Sequence, residues 1–162
     1  MIIMGIDPGS KITGYGIIEK QRDILNWIVD GQIAPSNRLS FYEKIFDVFS
    51  QMRKILDDYR PEEIAIEDIF YSKNVKSSIR LGHVRGAIIV AALLSGIPIF
   101  EYTPLQVKKA VVGYGKATKE QVRDMVRIIL DIERDMGLDS SDALAVAICH
   151  ANHANYVSHA II

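Results

Sequence analysis

IIMGIDPGSKITGYGIIEKQRDILNWIVDGQI, residues 2–33, is the stretch whose reading decides the fold. Ile2 to Asp7 is a short apolar run that ends in an acid, and Pro8-Gly9-Ser10 supplies turn chemistry, so a strand followed by a turn is expected. Ile12 to Glu19 carries Gly14 and Gly16 among β-forming residues, and Ile24 to Ile33 alternates well enough for a third strand. Three strands so close in sequence predict an antiparallel meander.

Outward from the meander, Ile45, Phe46, Phe49, Met52, Ile55, Leu56 and Tyr59 recur at helical spacing between Leu39 and Tyr59, and Pro61 stops the pattern. Glu63 to Ile69 alternates as a fourth strand, and Phe70 to Lys76 reads as a polar, aromatic loop. A helix over Val75 to Ser95, a fifth strand over Ile97 to Tyr102, and helices over Leu105 to Val112, Lys119 to Ile132 and Asp139 to Tyr156 complete the chain. Helices between strands one, four and five make those three parallel and buried. The expected fold is α/β and ribonuclease H-like: a five-stranded mixed sheet, antiparallel then parallel, flanked by helices in one domain over residues 1–162. That element order is shared by many α/β domains and does not by itself name a function.

Composition narrows the class. Of 162 residues, 49% are apolar and 24% charged, the balance of a globular chain that can bury a core without disulfides. A single cysteine, Cys149, rules out an internal disulfide and reads as a small core residue in a reducing compartment. No basic leader with a long apolar stretch opens the chain, and the uncharged run Gly86 to Phe100, broken by Gly96 and Pro98, is short for a membrane span. A cytoplasmic protein without a membrane partner is expected. The net charge of −1 argues weakly against nucleic acid. Its distribution argues the other way, since residues 73 to 127 hold ten Lys/Arg against three acids, a net +7 beside −8 for the remainder. A basic half next to a carboxylate-rich half suits a polyanion bound beside metal ions.

Asp7 ends the first strand, Glu67 falls late in the fourth, and Asp139 and Asp142 stand three apart at the start of the last helix. Parallel neighbouring strands bring their ends together, and acids at i and i+3 share a helix face, so all four can meet at one edge of the sheet. Four partly buried carboxylates repel one another and call for cations, and oxygen-only ligation points to Mg²⁺, with Mn²⁺ as a substitute. Two such ions would activate water and clamp a phosphodiester. Taken singly, Asp139 is an ordinary helix N-cap and Asp7 is equally a turn-capping acid. Glu67 resists such a reading, because alternation in EIAIED puts Ile64 and Ile66 on one face and Ala65 and Glu67 on the other, leaving an ionisable group in a central strand. Asp142 precedes the apolar run Ala143 to Ile148 and should face inward.

The blocks GIDPGSKITGYGII (5–18), AIEDIFYSKNVKSSIRLGHVRGAIIVAA (65–92), FEYTPLQVKKAVVGYGKATKEQV (100–122) and DSSDALAVAICHA (139–151) resemble the RuvC family of bacterial Holliday junction resolvases. The resemblance implies a homodimeric, Mg²⁺-dependent endonuclease that makes paired nicks in four-way DNA junctions, alongside the RuvA and RuvB branch-migration proteins. It carries the family's acidic quartet onto Asp7, Glu67, Asp139 and Asp142 as catalytic metal ligands. Some members have a histidine where Asp139 stands, and Ser140-Ser141 replaces a common Ala-Ala.

The same resemblance puts basic family positions on Lys108 and Lys119 and a base-stacking aromatic on Phe70. For Lys119 a role in stabilising transition-state charge is expected. GYGKATKE supports a phosphate contact from the residues alone, with glycines for close approach ahead of a helix N-terminus. Lys73, Lys76, Arg80 and Lys116 are expected to meet the DNA backbone, while Tyr71 packs and His150, His153 and His159 stand outside the chemistry. The helix carrying His83, Arg85 and Ile88 to Leu93 is core by default and a dimer face if the resemblance holds. Rival readings are another ribonuclease H-like nuclease acting on RNA–DNA hybrid or structured RNA, an actin-like nucleotide-binding loop at GIDPGS, disfavoured by a chain too short for a second lobe, and an inactive junction binder, disfavoured by the four acids.

Overall fold

The computed structural model describes residues 1–68 and 74–157, and side chains in the last helix as far as His153. β1 (Ile2–Asp7) lies at the centre of a five-stranded sheet of order β3-β2-β1-β4-β5. β2 (Thr13–Gln21) and β3 (Ile24–Ile33) form the antiparallel meander, and β4 (Glu63–Glu67) and β5 (Ile99–Tyr102) add to β1 in parallel. The mixed sheet of the sequence reading is therefore present, with its strands and helices within about three residues of their expected ends.

Capping sets several of those ends. α1 (Phe41–Tyr59) starts at Ser40, whose hydroxyl accepts from the Glu43 amide while the Glu43 carboxylate accepts from the Ser40 amide. The same reciprocal pairs, Thr103 with Gln106 and Thr118 with Gln121, start α3 (Pro104–Val112) and α4 (Lys119–Ile129). α4 stops at Ile129, three residues short of the expected Ile132, because Asp131 takes a left-handed conformation and turns the chain.

Side-chain alternation splits the core between the two faces of the sheet. Met4 and Ile6 of β1, with Ile64 and Ile66 of β4, point to α1 and to α2 (Val75–Leu94), meeting Val48, Met52, Leu56, Val84 and Ile88. Ile3 and Ala65 point to the opposite face, covered by α3, α4 and α5 (Leu138–Val157), where Cys149 is wholly buried and its thiol pushed up to about 12 by burial. By length and composition α2 is the one helix among the described residues that could cross a membrane. It instead sets Val84, Ile88, Ala91 and Ala92 into the core and leaves Ile79, Val90, Leu93 and Leu94 exposed.

α5 lies unusually close to the sheet, and glycine permits it. A Cβ on Gly5 of β1 would fall 2.0 Å from the Ala143 carbonyl oxygen and 2.6 Å from the Ala147 nitrogen, and one on Gly14 of β2 would fall 2.1 Å from the Asp139 carbonyl oxygen. No side chain fits there, so α5 rests on bare backbone with Asp139 and Asp142 directly over the strand ends. Gly5→Ala is expected to cost about 3 kcal/mol or more, since the helix must lift off the sheet to admit the methyl. Urea unfolding measures it; an unchanged midpoint would show that the contact is softer than described.

Candidate active site

β1 and β4 run parallel in the register Ile6↔Ile66, so Asp7 and Glu67, one residue further along, lie side by side across a single strand spacing of about 4.8 Å. Both alternate onto the α5 face, the same parity as Gly5 and Ala65. The first turns of α5 bring Asp139 and Asp142 to this end of the sheet, each close enough to act on the charge of its neighbours. Asp142 is 14% exposed and is paired with the Lys119 ammonium from the first position of α4.

Burial and crowding set the electrostatics. Glu67 is pushed up to about 8, first by burial and then by the charges of Asp7 and Asp142, with a side-chain hydrogen bond to Asp7 adding to the rise. Asp7 is raised to about 6 by burial and the charges of Asp142 and Asp139, against the opposing pull of Lys119 and of that hydrogen bond. The two carboxyls titrate as a coupled pair, held above the usual carboxylate range by burial and mutual repulsion. Burial also raises Asp142, with Lys119 and Lys108 pulling it back. Desolvation lowers Lys119, but its bond to Asp142 and the charges of Asp142, Asp7 and Glu67 outweigh that and raise it overall. Such displacement of several groups in one place is a mark of functional sites.

Four carboxylates and no nitrogen or sulfur ligand make a donor set that fits a hard divalent cation. Among the described residues no three Asp, Glu, His or Cys side chains are gathered tightly enough to enclose an ion as they stand. Asp142 stands on Lys119, and a cation among these acids would offset the repulsion that contributes to their raised pKa values.

Other expected site residues fall less centrally. Lys108 on α3 is half-buried and acts on Asp142. Lys116 is exposed between α3 and α4, and Lys76 and Arg80 are exposed near the start of α2, with the Arg80 guanidinium 5.3 Å from the centre of the Phe41 ring. Phe70, Tyr71, Lys73 and His159 lie outside the described residues. Asp139 is not at the N-cap position that its residue type alone would suggest. The helix begins at Leu138 and the Ser141 amide bonds the Gly137 carbonyl, so Asp139 lies inside the first turn. His150, set outside the chemistry by the sequence, is buried: its Nδ1 meets the Tyr102 hydroxyl at 2.7 Å and its Nε2 meets the Glu63 carboxylate at 2.6 Å, tying α5 to β4 and β5. The sequence reading also missed Gln32 of β3, whose Nε2 donates to Asp139 Oδ2 at 3.1 Å.

The sequence profile described as crossover junction endodeoxyribonuclease RuvC matches residues 3–150. The chain belongs to the RuvC family. Relatives named crossover junction endodeoxyribonuclease RuvC include that of Geotalea uraniireducens, 48% identical over 94% of this chain and 89% of the relative, and that of Citrifermentans bemidjiense, 49% identical over 95% and 94%. Among solved structures, Thermus thermophilus RuvC in complex with Holliday junction substrate superposes with a TM-score of 0.91 at 31% identity, covering 98% of this chain and 97% of that one. The RuvC fold, with acids at the ends of β1 and β4 and the start of α5, is that of an endodeoxyribonuclease.

Raised carboxyl pKa values mean that, without divalent metal, the folded state holds protons the unfolded state has released. This contribution to stability is full below the unfolded value near 4.5 and is lost as pH rises through the folded value, about 8 for Glu67. Glu67→Gln, which cannot ionise, should therefore be more stable than wild type at pH 8 in chelator, by on the order of 2 kcal/mol, with the advantage gone by pH 4.5. Urea melts across that range measure it, and an advantage that grew toward low pH would reverse the assigned sign.

Proposed function

We propose that this protein is a Holliday junction resolvase, a homodimer that makes paired, symmetric nicks in four-way DNA during recombination and repair. The carrying observation is the convergence of Asp7, Glu67 and Asp142 at one end of the sheet, with their pKa values raised together and Lys119 beside them. The junction-bound Thermus thermophilus RuvC, alike over nearly its whole length, supports the substrate.

In this reading Asp7, Glu67, Asp139 and Asp142 hold Mg²⁺, two ions per site, with Mn²⁺ able to replace it. When bound, the ions supply Lewis-acid neutralisation of the scissile phosphate and activation of water. The carboxylates fix where that charge lies. Once Asp142 turns away, the Lys119 ammonium is released to stand against negative charge growing on the phosphate, which is worth most where water is excluded. Lys108, Lys116, Lys73, Lys76 and Arg80 would hold the backbone on either side, and Phe70 would stack on bases unpaired at the junction centre.

The two-fold symmetry of a four-way junction favours two identical active sites. The exposed Val90, Leu93 and Leu94 of α2 and Phe46 of α1, each at least half exposed, support an apolar dimer face. Within a cell the enzyme would work in the cytosol beside the RuvA–RuvB branch-migration complex.

The deciding assay gives the purified protein labelled four-way junction, RNA–DNA hybrid and linear duplex, with Mg²⁺ and with chelator. Cleavage confined to the junction and dependent on Mg²⁺ is expected; cutting of hybrid with the junction left intact would return the assignment to another ribonuclease H-like nuclease. Asp7→Asn and Glu67→Gln should lower cleavage at least a thousandfold, about 4 kcal/mol in barrier, with junction affinity in Ca²⁺ within about threefold. Normal cutting by either variant would contradict the metal-holding role. Lys119→Ala should lose about a hundredfold in rate with binding nearly intact.

A further inference from the structure

We propose that Gln32 is a positioning residue for Asp139, making β3, the strand most remote from β4 and β5 in the sheet, part of the active-site support. The proposal rests on the reading of Asp139 as a ligand and adds to it a residue that no family motif above contains.

The geometry is direct. Gln32 and Gly14 pair across β3 and β2, and a Cβ on Gly14 would strike the Asp139 carbonyl, so the first turn of α5 lies over this pair. The Gln32 side chain runs past Gly137, its amide nitrogen 3.6 Å from where a Cβ on Gly137 would stand, and ends on Asp139 Oδ2 at 3.1 Å. One carboxylate oxygen is held and the other remains free to ligate.

Chemistry explains why an amide suits this place. Asp139 stands in a helix's first turn beside two carboxyls whose pKa values its charge helps to raise, Asp7 and Asp142, and an untethered carboxylate there would swing to water to reduce the repulsion. A lysine or arginine would hold it but would also cancel the negative charge that a cation needs. The neutral Gln32 amide fixes direction and leaves the charge intact.

A second contact holds the two elements in register. The Arg134 guanidinium, in the connection from α4 to α5, is paired with Asp30 of β3 and lies 5.1 Å from the centre of the Trp27 ring. The Trp27 Nε1 donates to the same Asp30 carboxylate at 2.8 Å, and that carboxylate side chain is only 4% exposed. This buried acid, bound from two sides, ties the segment before Leu138 to the strand that carries Gln32. Gln32 is itself exposed, so the tie between Asp30, Trp27 and Arg134 is what keeps its strand within reach of Asp139.

The test measures Mn²⁺ affinity by calorimetry and the Mg²⁺ concentration giving half-maximal junction cleavage, for wild type, Gln32→Ala, Gln32→Glu and Asp139→Asn. Gln32→Ala should weaken Mn²⁺ binding and raise the half-maximal Mg²⁺ about tenfold, with an unchanged melting temperature in chelator. Gln32→Glu, which sets a carboxylate against Asp139, should weaken metal binding further. Adding Gln32→Ala to Asp139→Asn should change metal affinity no more, because the group it positions is already gone. If Asp139→Asn weakens metal binding while Gln32→Ala does not, the positioning role is overturned and the ligand reading stands. If Asp139→Asn leaves metal affinity unchanged, the ligand reading fails and the positioning role falls with it.

Discussion

The approach of α5 to the sheet is the constraint on which the rest depends. Backbone rests on backbone where Gly5 meets Ala143 and Ala147 and where Gly14 meets Asp139. A further glycine, Gly16, admits Leu144, whose Cδ2 would stand 2.5 Å from any Cβ placed there. A helix seated on ordinary side chains would stand further from the sheet. Lifted to that height, Asp139 and Asp142 would be carried away from Asp7 and Glu67. The apolar run from Ala143 to Cys149, wholly buried, anchors the helix in this position.

Seating the helix so closely has an electrostatic consequence. Strand pairing already sets Asp7 beside Glu67, and the close helix adds the charges of Asp139 and Asp142 to that pair, with Asp142 held by Lys119. A core chosen for stability alone would put apolar groups here, since burying carboxylates side by side is unfavourable. The rest of the fold offsets this with two apolar layers, and the buried bridge from Tyr102 through His150 to Glu63 holds the far part of α5 to β4 and β5. The same repulsion that destabilises the bare site favours a divalent cation in it, which links the RuvC fold to its chemistry.

Local patterns made the fold legible in the sequence. The alternation of EIAIED put Glu67 on the face opposite Ile64 and Ile66, as the split of the core between two faces bears out. Parallel strands then required Asp7 and Glu67 to end together. Gly14 and Gly16 stood out among β-forming residues, but only the packing of a helix from the other end of the chain explains them. Asp139 looked like a cap because aspartate is a preferred one, and the helix instead starts a residue earlier at Leu138. Gln32 could not be found by spacing, since its partner lies 107 residues away. His150 was passed over for the same reason, with partners 48 and 87 residues distant. Long-range polar pairing leaves no periodic trace, whereas burial of a strand or helix face does.

Crystals of the protein grown with Mn²⁺ and a four-way junction, read by anomalous scattering at the manganese edge, test the central claim most directly. Manganese peaks are expected between the ends of β1 and β4 and the first turn of α5, ligated by Asp7 with Glu67 and Asp142 and reached by Asp139, and with Lys119 no longer on Asp142. Peaks elsewhere, or carboxylates still turned apart with Lys119 in place, would contradict it.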